Sequence, residues 1–356
     1  METQNQTSFL GAIVGDIAGS RFEWCNLKSK DFTLLVGRGE DVDECCFTDD
    51  TVMTVAVAEA ILKWRKGGDK SYEALSLMAI KSMQKFGRRY PNAGYGGTFQ
   101  RWLRDDNPRP YNSWGNGAAM RVSACGWAGR TIDEVKAMSR AVTEVTHNHP
   151  EGIKGAEATA VATFLARNGK SKGEIKSIIF QDYYSLDFTL DEIRPGYEFD
   201  VSCQGSVPQA IEAFMESTSF EDAIRNAVSI GGDSDTLAAI TGAGDYTVGL
   251  EFNEEAQGLS FAALGIKDGE LLLPGYTIEI KAIRVNGEEI AFDPQKFNDS
   301  VIAAFRACDS ILSAPDDNGE RAETQIKSME LRESKFYVIT GSAYEEESTL
   351  QQGCTR

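Results

Sequence analysis

Histidine is scarce in this chain of 356 residues, which has only two copies, His147 and His149. A catalytic zinc site of the histidine-rich kind takes several imidazoles from separate segments. A serine hydrolase triad takes one imidazole beside a nucleophile. Two histidines only two positions apart argue against both kinds of site anywhere else in the chain.

Cysteine motifs and long apolar runs are also lacking. The seven cysteines are scattered without a Cys-x-x-Cys pair, which predicts neither a disulfide framework nor a zinc site and indicates a reducing cytoplasm. The apolar run from Phe9 is broken by Asp16, far short of the roughly 18 residues that cross a bilayer. Residues 1–7 lack the basic region of a signal peptide. We therefore expect a soluble, cytoplasmic protein without a membrane partner.

Positive charge is in short supply. The 36 basic residues are outnumbered by 54 acidic ones, which gives a net charge of −18. General binding to a nucleic-acid backbone depends on Lys and Arg contacts with phosphates, so we do not expect it here. A small anionic ligand held in a local pocket remains compatible with this charge.

Two distant segments share a pattern of acids and hydroxyls ahead of an apolar helix. Gly-Gly-Asp-Ser-Asp-Thr at 231–236 and Thr-Asp-Asp-Thr at 48–51 both precede apolar runs. Either segment alone is typical of a helix N-cap. One helix start needs only one or two capping oxygens, however, and four carboxylates brought together would repel each other unless cations lay between them. Such an all-oxygen cluster suits Mg²⁺, Mn²⁺ or Ca²⁺.

Five motifs in one order carry a more specific signal. They are Gly-Asp-Ile-Ala-Gly-Ser at 15–20 with Glu23, Phe-Thr-Asp-Asp-Thr at 47–51, Gly-Asn-Gly-Ala-Ala-Met-Arg at 115–121, Thr-His-Asn-His-Pro at 146–150, and Gly-Gly-Asp-Ser-Asp-Thr at 231–236. With these motifs the chain resembles the ADP-ribosylglycohydrolase family, of the type that includes the dinitrogenase-reductase-activating glycohydrolases, over about residues 9–243. The resemblance implies a mainly α, compact all-helical domain.

The resemblance also implies a site. It implies two Mg²⁺ or Mn²⁺ ions whose ligands are Thr48, Asp49, Asp50, Asp233, Asp235 and Thr236. The catalytic carboxylate would be Glu23, Asp49 or Asp50, and the sequence does not distinguish them. The substrate cleft would be lined by Glu23, Tyr95, Gly96, Ser113, Trp114, Gly115, Asn116, Gly117, Met120, His147 and His149.

Several of these residues have a plainer interpretation on sequence alone. Residues 113–117 are typical of an ordinary loop, and Met120 is typical of a core side chain. Asp16 is either a satisfied core acid or a neighbour of the metal site. His147 and His149 follow a helix expected to end near 146, where a histidine is favourable at the C-terminus, so a polar cap and a ligand contact both remain open.

Hydrophobic periodicity and capping signals predict most of the helices. The expected helices cover residues 9–20, 52–64, 72–86, 98–103, 131–146, 155–167, 207–215, 220–229 and the run after 236. Gly11, Gly15 and Gly19 recur every fourth residue and predict a bare helix face that another helix can approach closely.

The periodicity of apolar residues changes near the C-terminus from helical spacing to the alternation typical of strands. Alternation from Tyr276, the hairpin dipeptide Asn286-Gly287 and the run 335–340 predict short strands, and a helix is expected over 294–312. We therefore divide the chain into a helical ADP-ribosylglycohydrolase-like domain at 1–270 and a small α+β appendage at 271–356.

The function implied by the resemblance is hydrolysis of the glycosidic bond of an ADP-ribosyl group, releasing ADP-ribose. The substrate would be an ADP-ribosylated protein or a small ADP-ribosyl compound, with the acceptor left open. Two alternatives stand beside it. A dinuclear phosphoesterase would use the same oxygens but needs a Lys/Arg clamp on the phosphoryl group, which these motifs lack, and an ADP-ribose-binding regulator without activity has no need of the full acid set.

Overall fold

The computed structural model describes residues 9–35 and 45–244, together with the backbone of short strands between 248 and 342. The chain divides into two compact units, the larger formed by Gln6–Val36 and Glu40–Val248. The division into domains at residue 270 stays a prediction. No helix among the described residues is long and apolar enough to cross a membrane.

The described part of the larger unit is helical, so the mainly α fold predicted from the sequence is confirmed. Its α-helices are α1 (Phe9–Gly19), α2 (Asp49–Lys66), α3 (Tyr72–Arg89), α4 (Gly97–Arg104), α5 (Ser123–Ala128), α6 (Ile132–Thr143), α7 (Pro150–Arg167), α8 (Lys172–Asp182), α9 (Leu190–Ile193), α10 (Cys203–Glu216), α11 (Phe220–Ser229) and α12 (Ser234–Gly242). One 3-10 turn, Ser20–Phe22, follows α1, and a second, Asn116–Ala118, lies between α4 and α5.

Side-chain caps fix where many of these helices begin. Thr48 accepts a hydrogen bond from Asp50 N at the start of α2, and Thr131 accepts one from Glu134 N at the start of α6. Each cap satisfies one of the backbone N–H groups that a first helical turn leaves without a partner. Helix α2 therefore starts at Asp49, three residues before the apolar run that predicted it.

Helices α1 and α12 lie in direct backbone contact, a close approach of the kind that the spacing of glycines in α1 predicts. A Cβ on Gly15 would overlap the carbonyl oxygen of Ala238, and a Cβ on Gly11 would overlap that of Gly242. At the end of α1, a Cβ on Gly19 would overlap the Ser234 carbonyl oxygen. Only glycine permits so close an approach. The contact places the whole length of α1 beside the helix that follows the second acidic motif.

Further helix boundaries differ from the sequence prediction in α6, α7 and α10. Helix α7 begins at Pro150 rather than 155, because His149 caps it and proline is favourable at the first helical position. Helix α6 ends at Thr143 rather than near 146. Helix α10 begins at Cys203, where Ser202 caps it, so Pro208 lies inside the helix and not near its N-terminus.

The strands of the second unit follow part of the sequence prediction. The strands are β1 (Val248–Phe252), β2 (Ile266–Lys267), β3 (Glu270–Leu273), β4 (Tyr276–Thr277), β5 (Ile280–Val285), β6 (Glu288–Ile290), β7 (Thr324–Arg332) and β8 (Lys335–Ser342). Strands β5 and β6 pair antiparallel with Val285 opposite Glu288, as the Asn-Gly turn predicts. The helix expected over 294–312 lies outside the described residues.

Candidate metal centre

Asp16 joins the first acidic motif to helix α1. Its carboxylate accepts hydrogen bonds from Thr48 N at 2.9 Å, Thr48 Oγ1 at 2.8 Å and Thr51 N at 3.0 Å, and a further short one from Thr51 Oγ1. The side chain is fully buried. Asp16 therefore clamps the first turn of α2 onto α1, and through α1 it fixes that turn relative to α12.

Asp50 is the carboxylate on which the two acidic motifs meet. Its Oδ2 atom accepts a hydrogen bond from Thr236 Oγ1 at 3.3 Å. The same atom lies 3.3 Å from Thr48 Oγ1, whose proton has its nearer acceptor in Asp16 Oδ1 at 2.8 Å. The other oxygen, Oδ1, is buried and has no hydrogen-bond partner among the described residues. An ionised carboxylate oxygen buried without a donor is costly, so Oδ1 is suited to a cation.

Carboxylates from α1, α2 and α12 come together as two overlapping groups. In one, ligand atoms of Asp16, Asp50 and Asp235 lie within 4.8 Å of one another. In the other, ligand atoms of Glu23, Asp233 and Asp235 meet the same limit. Asp235 belongs to both groups, an arrangement that suits one carboxylate placed between two cation positions.

The pKa values of Asp49, Glu23, Asp50 and Asp235 are all raised. Burial raises the pKa of Asp49 to about 8, with Asp16 and Asp233 adding repulsion, and raises that of Glu23 to about 7, with Asp233 and Asp16 contributing. Burial and neighbouring carboxylates hold the pKa values of Asp50 and Asp235 well above their ordinary range. The cluster is therefore one in which the negative charges are not compensated by the protein itself.

The donor set fits a hard divalent cation. In the described ranges, 9–35 and 45–244, no Lys or Arg forms an ion pair with any of these carboxylates. The atoms that face one another are carboxylate and hydroxyl oxygens, which Mg²⁺ and Mn²⁺ prefer. Asp50 Oδ1 is the orphaned atom that such an ion would satisfy.

The glycine pair before Asp233 makes the turn that aims the second motif. Gly231 and Gly232 both have φ of +74°, a left-handed conformation that favours glycine. Asn26 Oδ1 accepts a hydrogen bond from Gly232 N at 3.1 Å, and the Lys28 ammonium donates to the carbonyl oxygen of Ile230. The segment just after α1 thus holds this turn as well.

The loop at 113–117, called the cradle below, is connected to the acidic cluster by the side chain of Asn116. Asn116 Nδ2 donates to Asp233 Oδ2 at 2.7 Å and to Ser206 Oγ at 3.0 Å. Ser113 Oγ accepts from Gly115 N at 3.1 Å and shapes the turn ahead of it. The loop at 113–117 is therefore positioned beside the carboxylates, which a sequence separation of more than a hundred residues does not reveal.

The two histidines have different surroundings. His147 is buried, and a Cβ built on Gly115 or Gly117 would lie 3.5 or 3.6 Å from its Nε2 atom, so the imidazole borders the cradle. His149 Nδ1 accepts from Glu151 N at 3.1 Å and caps the N-terminus of α7. The interpretation of this segment as a C-terminal cap is therefore wrong for His149. The reason is that α6 ends at Thr143, whereas His149 directly precedes Pro150, the first residue of α7.

The remaining predicted cleft residues differ in burial and in the groups that they contact. The Trp114 ring meets the His149 ring edge-on at 5.4 Å and is 51% exposed. Tyr95 is buried against Phe99, with ring centroids 5.7 Å apart. Gly96 precedes α4. Met120 is buried, as a core side chain would be, and its sulfur lies 4.0 Å from Thr236 Oγ1 in the second acidic motif.

The sequence model of the ADP-ribosylglycohydrolase family matches residues 6–244. The chain belongs to the ADP-ribosylglycohydrolase family. The resemblance inferred from the five motifs is thereby confirmed, and the match ends where the described helical unit ends.

The relatives of this chain are distant in sequence. The chain is 23% identical to "ADP-ribosylhydrolase ARH3" of Bos taurus, with 65% of this chain and 81% of that protein covered. It is 25% identical to "ADP-ribosylarginine hydrolase Tri1" of Pseudomonas putida, with 66% and 67% covered. A solved "ADP-ribosylglycohydrolase-related protein complex" aligns at a TM-score of 0.49 and 24% identity over 66% of this chain and 83% of that one.

Two residues, Asp16 and Asn116, have larger parts in this cluster than their sequence context indicates. Asp16 is a member of a carboxylate group and not merely its neighbour, and Asn116 links the cradle to the acids. The sequence signal for Asp16 is that it is an acid inside an otherwise apolar helix. A carboxylate buried by such a helix needs hydrogen-bond donors or a cation, so it must lie beside other polar groups. No local sequence signal predicts the partner of Asn116.

Proposed function

We propose that this chain is a metal-dependent hydrolase that cleaves the glycosidic bond of an ADP-ribosyl group and releases ADP-ribose. Relatives named as an ADP-ribosylhydrolase and an ADP-ribosylarginine hydrolase support the reaction class. The observation that carries the proposal is the junction of two acidic helix starts at Asp50, beside a glycine loop attached through Asn116.

The proposed ligands are the oxygens of both motifs. Thr48, Asp49, Asp50, Asp233, Asp235 and Thr236 would hold two Mg²⁺ or Mn²⁺ ions. The two overlapping carboxylate groups support two positions, with Asp235 shared. The ions, when bound, supply Lewis acidity for the ribose hydroxyls and for the attacking water.

The chain's own residues have separate tasks in this proposal. Glu23 is half-exposed and lies with Asp233 and Asp235, so it can reach a substrate and orient a water against the anomeric carbon. Asp50 is buried and in contact with two threonine hydroxyls, which suits a fixed ligand better than a mobile base. Asp49 lies beside Gly94, where a Cβ would be 3.3 Å from its Oδ1, at the edge nearest Tyr95.

The loop at 113–117 is proposed to hold the diphosphate and ribose. Gly115 and Gly117 leave space in front of His147, and glycine lets backbone N–H groups approach a phosphate without a Cβ in the way. Asn116 connects this part of the ligand to Asp233 and so to the acids. Correct placement of the sugar relative to the carboxylates is where such a connection contributes most to the rate.

The experiment is a linkage panel. Peptides ADP-ribosylated on arginine and on serine, and free ADP-ribosyl compounds, are incubated with the protein and Mg²⁺ or Mn²⁺, and free ADP-ribose is measured. Release from at least one linkage is expected. A protein that binds ADP-ribose but releases none from any linkage would instead be a regulator, and release of phosphate rather than ADP-ribose would favour a phosphoesterase.

A further inference from the structure

Arg121 is a buried cation without a carboxylate beside it. It is 1% exposed, and its guanidinium forms no ion pair with an acid in the described part of the chain. Its Nη2 atom donates to Thr146 Oγ1 at 2.7 Å, while its Nε atom is buried without a partner among the described residues. Burying a charge is costly unless it is paired. The Phe99 ring, 5.6 Å from the Arg121 Cζ atom, offers its face to this charge, and Thr146 is the side chain that accepts a hydrogen bond from it.

The Thr146 hydroxyl connects Arg121 to His147 by hydrogen bonds. Thr146 Oγ1 lies 2.7 Å from His147 Nδ1 and 3.3 Å from the carbonyl oxygen of Thr143. The Thr143 oxygen already accepts from the backbone N–H groups of Thr146 at 3.1 Å and His147 at 2.9 Å. A carbonyl oxygen has two lone pairs. The single hydroxyl proton of Thr146 is therefore directed to His147 Nδ1, the nearer acceptor.

This assignment decides the tautomer of His147. With Nδ1 accepting from Thr146, a neutral imidazole has its proton on Nε2. Burial and the nearby Arg121 charge lower the pKa of His147 well below its usual value, which favours the neutral ring. The Nε2 atom faces Gly115 and Gly117, and the described residues offer it no acceptor.

We propose that Arg121 and Thr146 are positioning residues that hold His147 as the neutral Nε2–H tautomer, so that it donates a hydrogen bond to an oxygen of the ligand at 113–117. The ligand part of this inference rests on the proposed function. Arg121 is suited to begin the hydrogen-bond chain from Arg121 through Thr146 to His147. A guanidinium has only donors and stays charged at physiological pH. It can only donate to Thr146, which leaves the threonine proton for His147.

The tautomer is measured first, in the ligand-free protein labelled with ¹⁵N-histidine. The chain has two histidines, so His149→Asn, which retains a capping oxygen, leaves the His147 signals alone for assignment. Long-range ¹H–¹⁵N spectra at neutral pH are expected to show an unprotonated Nδ1 and a protonated Nε2. A protonated Nδ1 in the wild-type protein would overturn the proposal whatever the variants do.

Two variants of Thr146 then test the positioning role. Thr146→Val retains the shape and loses the hydroxyl, so His147 is expected to change its tautomer mixture. ADP-ribose affinity measured by calorimetry is expected to fall about 5- to 10-fold, the loss typical of one hydrogen bond to a charged or polar group. Thr146→Ser retains the hydroxyl and should restore both the wild-type spectrum and the affinity.

The possible results separate this inference from the proposed function. An unchanged tautomer in Thr146→Val, or a changed tautomer with unchanged ADP-ribose affinity, overturns the positioning role. Failure of the wild-type protein to bind ADP-ribose contradicts the proposed function and with it the ligand half, while the spectra still decide how Arg121 and Thr146 act on His147. If Thr146→Val does not fold, the wild-type and Thr146→Ser spectra decide the tautomer.

Discussion

At the scale of single residues, the centre depends on a few carboxylates that the protein does not neutralise. Asp16 has its own donors and serves as a clamp, whereas Asp50 Oδ1 has none among the described residues. Asp235 belongs to both carboxylate groups. The charge at Asp235 is therefore the most informative one to remove.

We predict that Asp235→Asn abolishes most activity without harming the fold. Asparagine retains the size of aspartate and an Oδ1 atom that can accept from Thr236 N, as Asp235 does at 2.9 Å, but it removes a charged ligand oxygen, and turnover should fall at least ~10²-fold, as for loss of one positioned charge-stabilising group. The Mg²⁺-dependent rise in Tm should shrink, and the metal-free variant should melt at or above the wild-type temperature, because repulsion is relieved.

The matched control is Asp133→Asn, an exposed acid on the first turn of α6. Its initial rate and its Mg²⁺-dependent Tm shift should equal those of the wild type. Near-normal turnover of Asp235→Asn, with an undiminished Tm shift, would contradict the proposed role of Asp235.

A second prediction separates two residues of the cradle. Asn116→Ala should weaken both ADP-ribose binding and Mg²⁺ binding, because the amide donates to Asp233 and orients that carboxylate. Ser113→Ala should weaken ADP-ribose binding alone, since its hydroxyl contacts only Gly115 N among the described residues. Calorimetric titrations with each ligand give the answer. Equal effects of the two variants on Mg²⁺ affinity would show that Asn116 does not support the metal position.

At the scale of elements, periodicity and capping signals in the sequence predicted where most helices lie, and the glycine spacing predicted that one face of α1 would be open to close approach by another helix. They did not predict that this helix is α12. They could not predict that Thr236 on α12 contacts Asp50 on α2, because that contact depends on how three helices cross. They also placed the start of α10 at 207, whereas the Ser202 side chain caps the helix and it begins at Cys203. The site was therefore predictable as a set of residues, and its geometry was not.

We predict that Gly15→Ala destabilises the helical unit and the site together. The added Cβ would overlap the Ala238 carbonyl oxygen, so α1 must move away from α12. Such overpacking typically costs about 1–3 kcal/mol in the free energy of unfolding. Chemical denaturation measures that cost, and the activity of the folded fraction should also fall.

The control for Gly15→Ala is Gly173→Ala in α8, where a Cβ meets nothing within 4 Å. That change should be neutral or stabilise the protein by up to about 1 kcal/mol, since alanine favours a helix over glycine. Equal stability changes in the two variants would mean that the contact between α1 and α12 is looser than described.

At the scale of the whole molecule, a net charge of −18 is concentrated in part at one buried site. Carboxyls whose pKa is higher in the folded than in the unfolded protein favour folding at low pH, and that stability is lost as the pH rises through the folded pKa. The raised values of about 6 for Asp16, about 7 for Glu23 and about 8 for Asp49 set the window from the ordinary range, near 4, up to about 8.

We therefore predict that the Tm of the metal-free protein falls between about pH 5 and about pH 8, and that the Tm gain from Mg²⁺ grows over the same interval. His147 acts in the opposite sense, because its lowered pKa favours folding as the pH rises through the ordinary histidine range. Both the wild type and Asp235→Asn contain His147, so its contribution cancels when their Tm values are compared at each pH. The Tm of metal-free Asp235→Asn should depend less on pH than that of the wild type. A Tm gain from Mg²⁺ that is the same at both pH values would contradict the raised pKa values.

The central claim is that hydrolysis of an ADP-ribosyl bond depends on cations held by these oxygens. The most direct measurement is the rate of ADP-ribose release from the best substrate of the linkage panel, before and after metal removal by EDTA and after addition of Mg²⁺, Mn²⁺ or Zn²⁺. We predict loss of release on chelation and recovery with Mg²⁺ or Mn²⁺ rather than Zn²⁺, because the ligands are hard oxygens. Full turnover in excess chelator, with elemental analysis confirming a metal-free protein, would contradict the account.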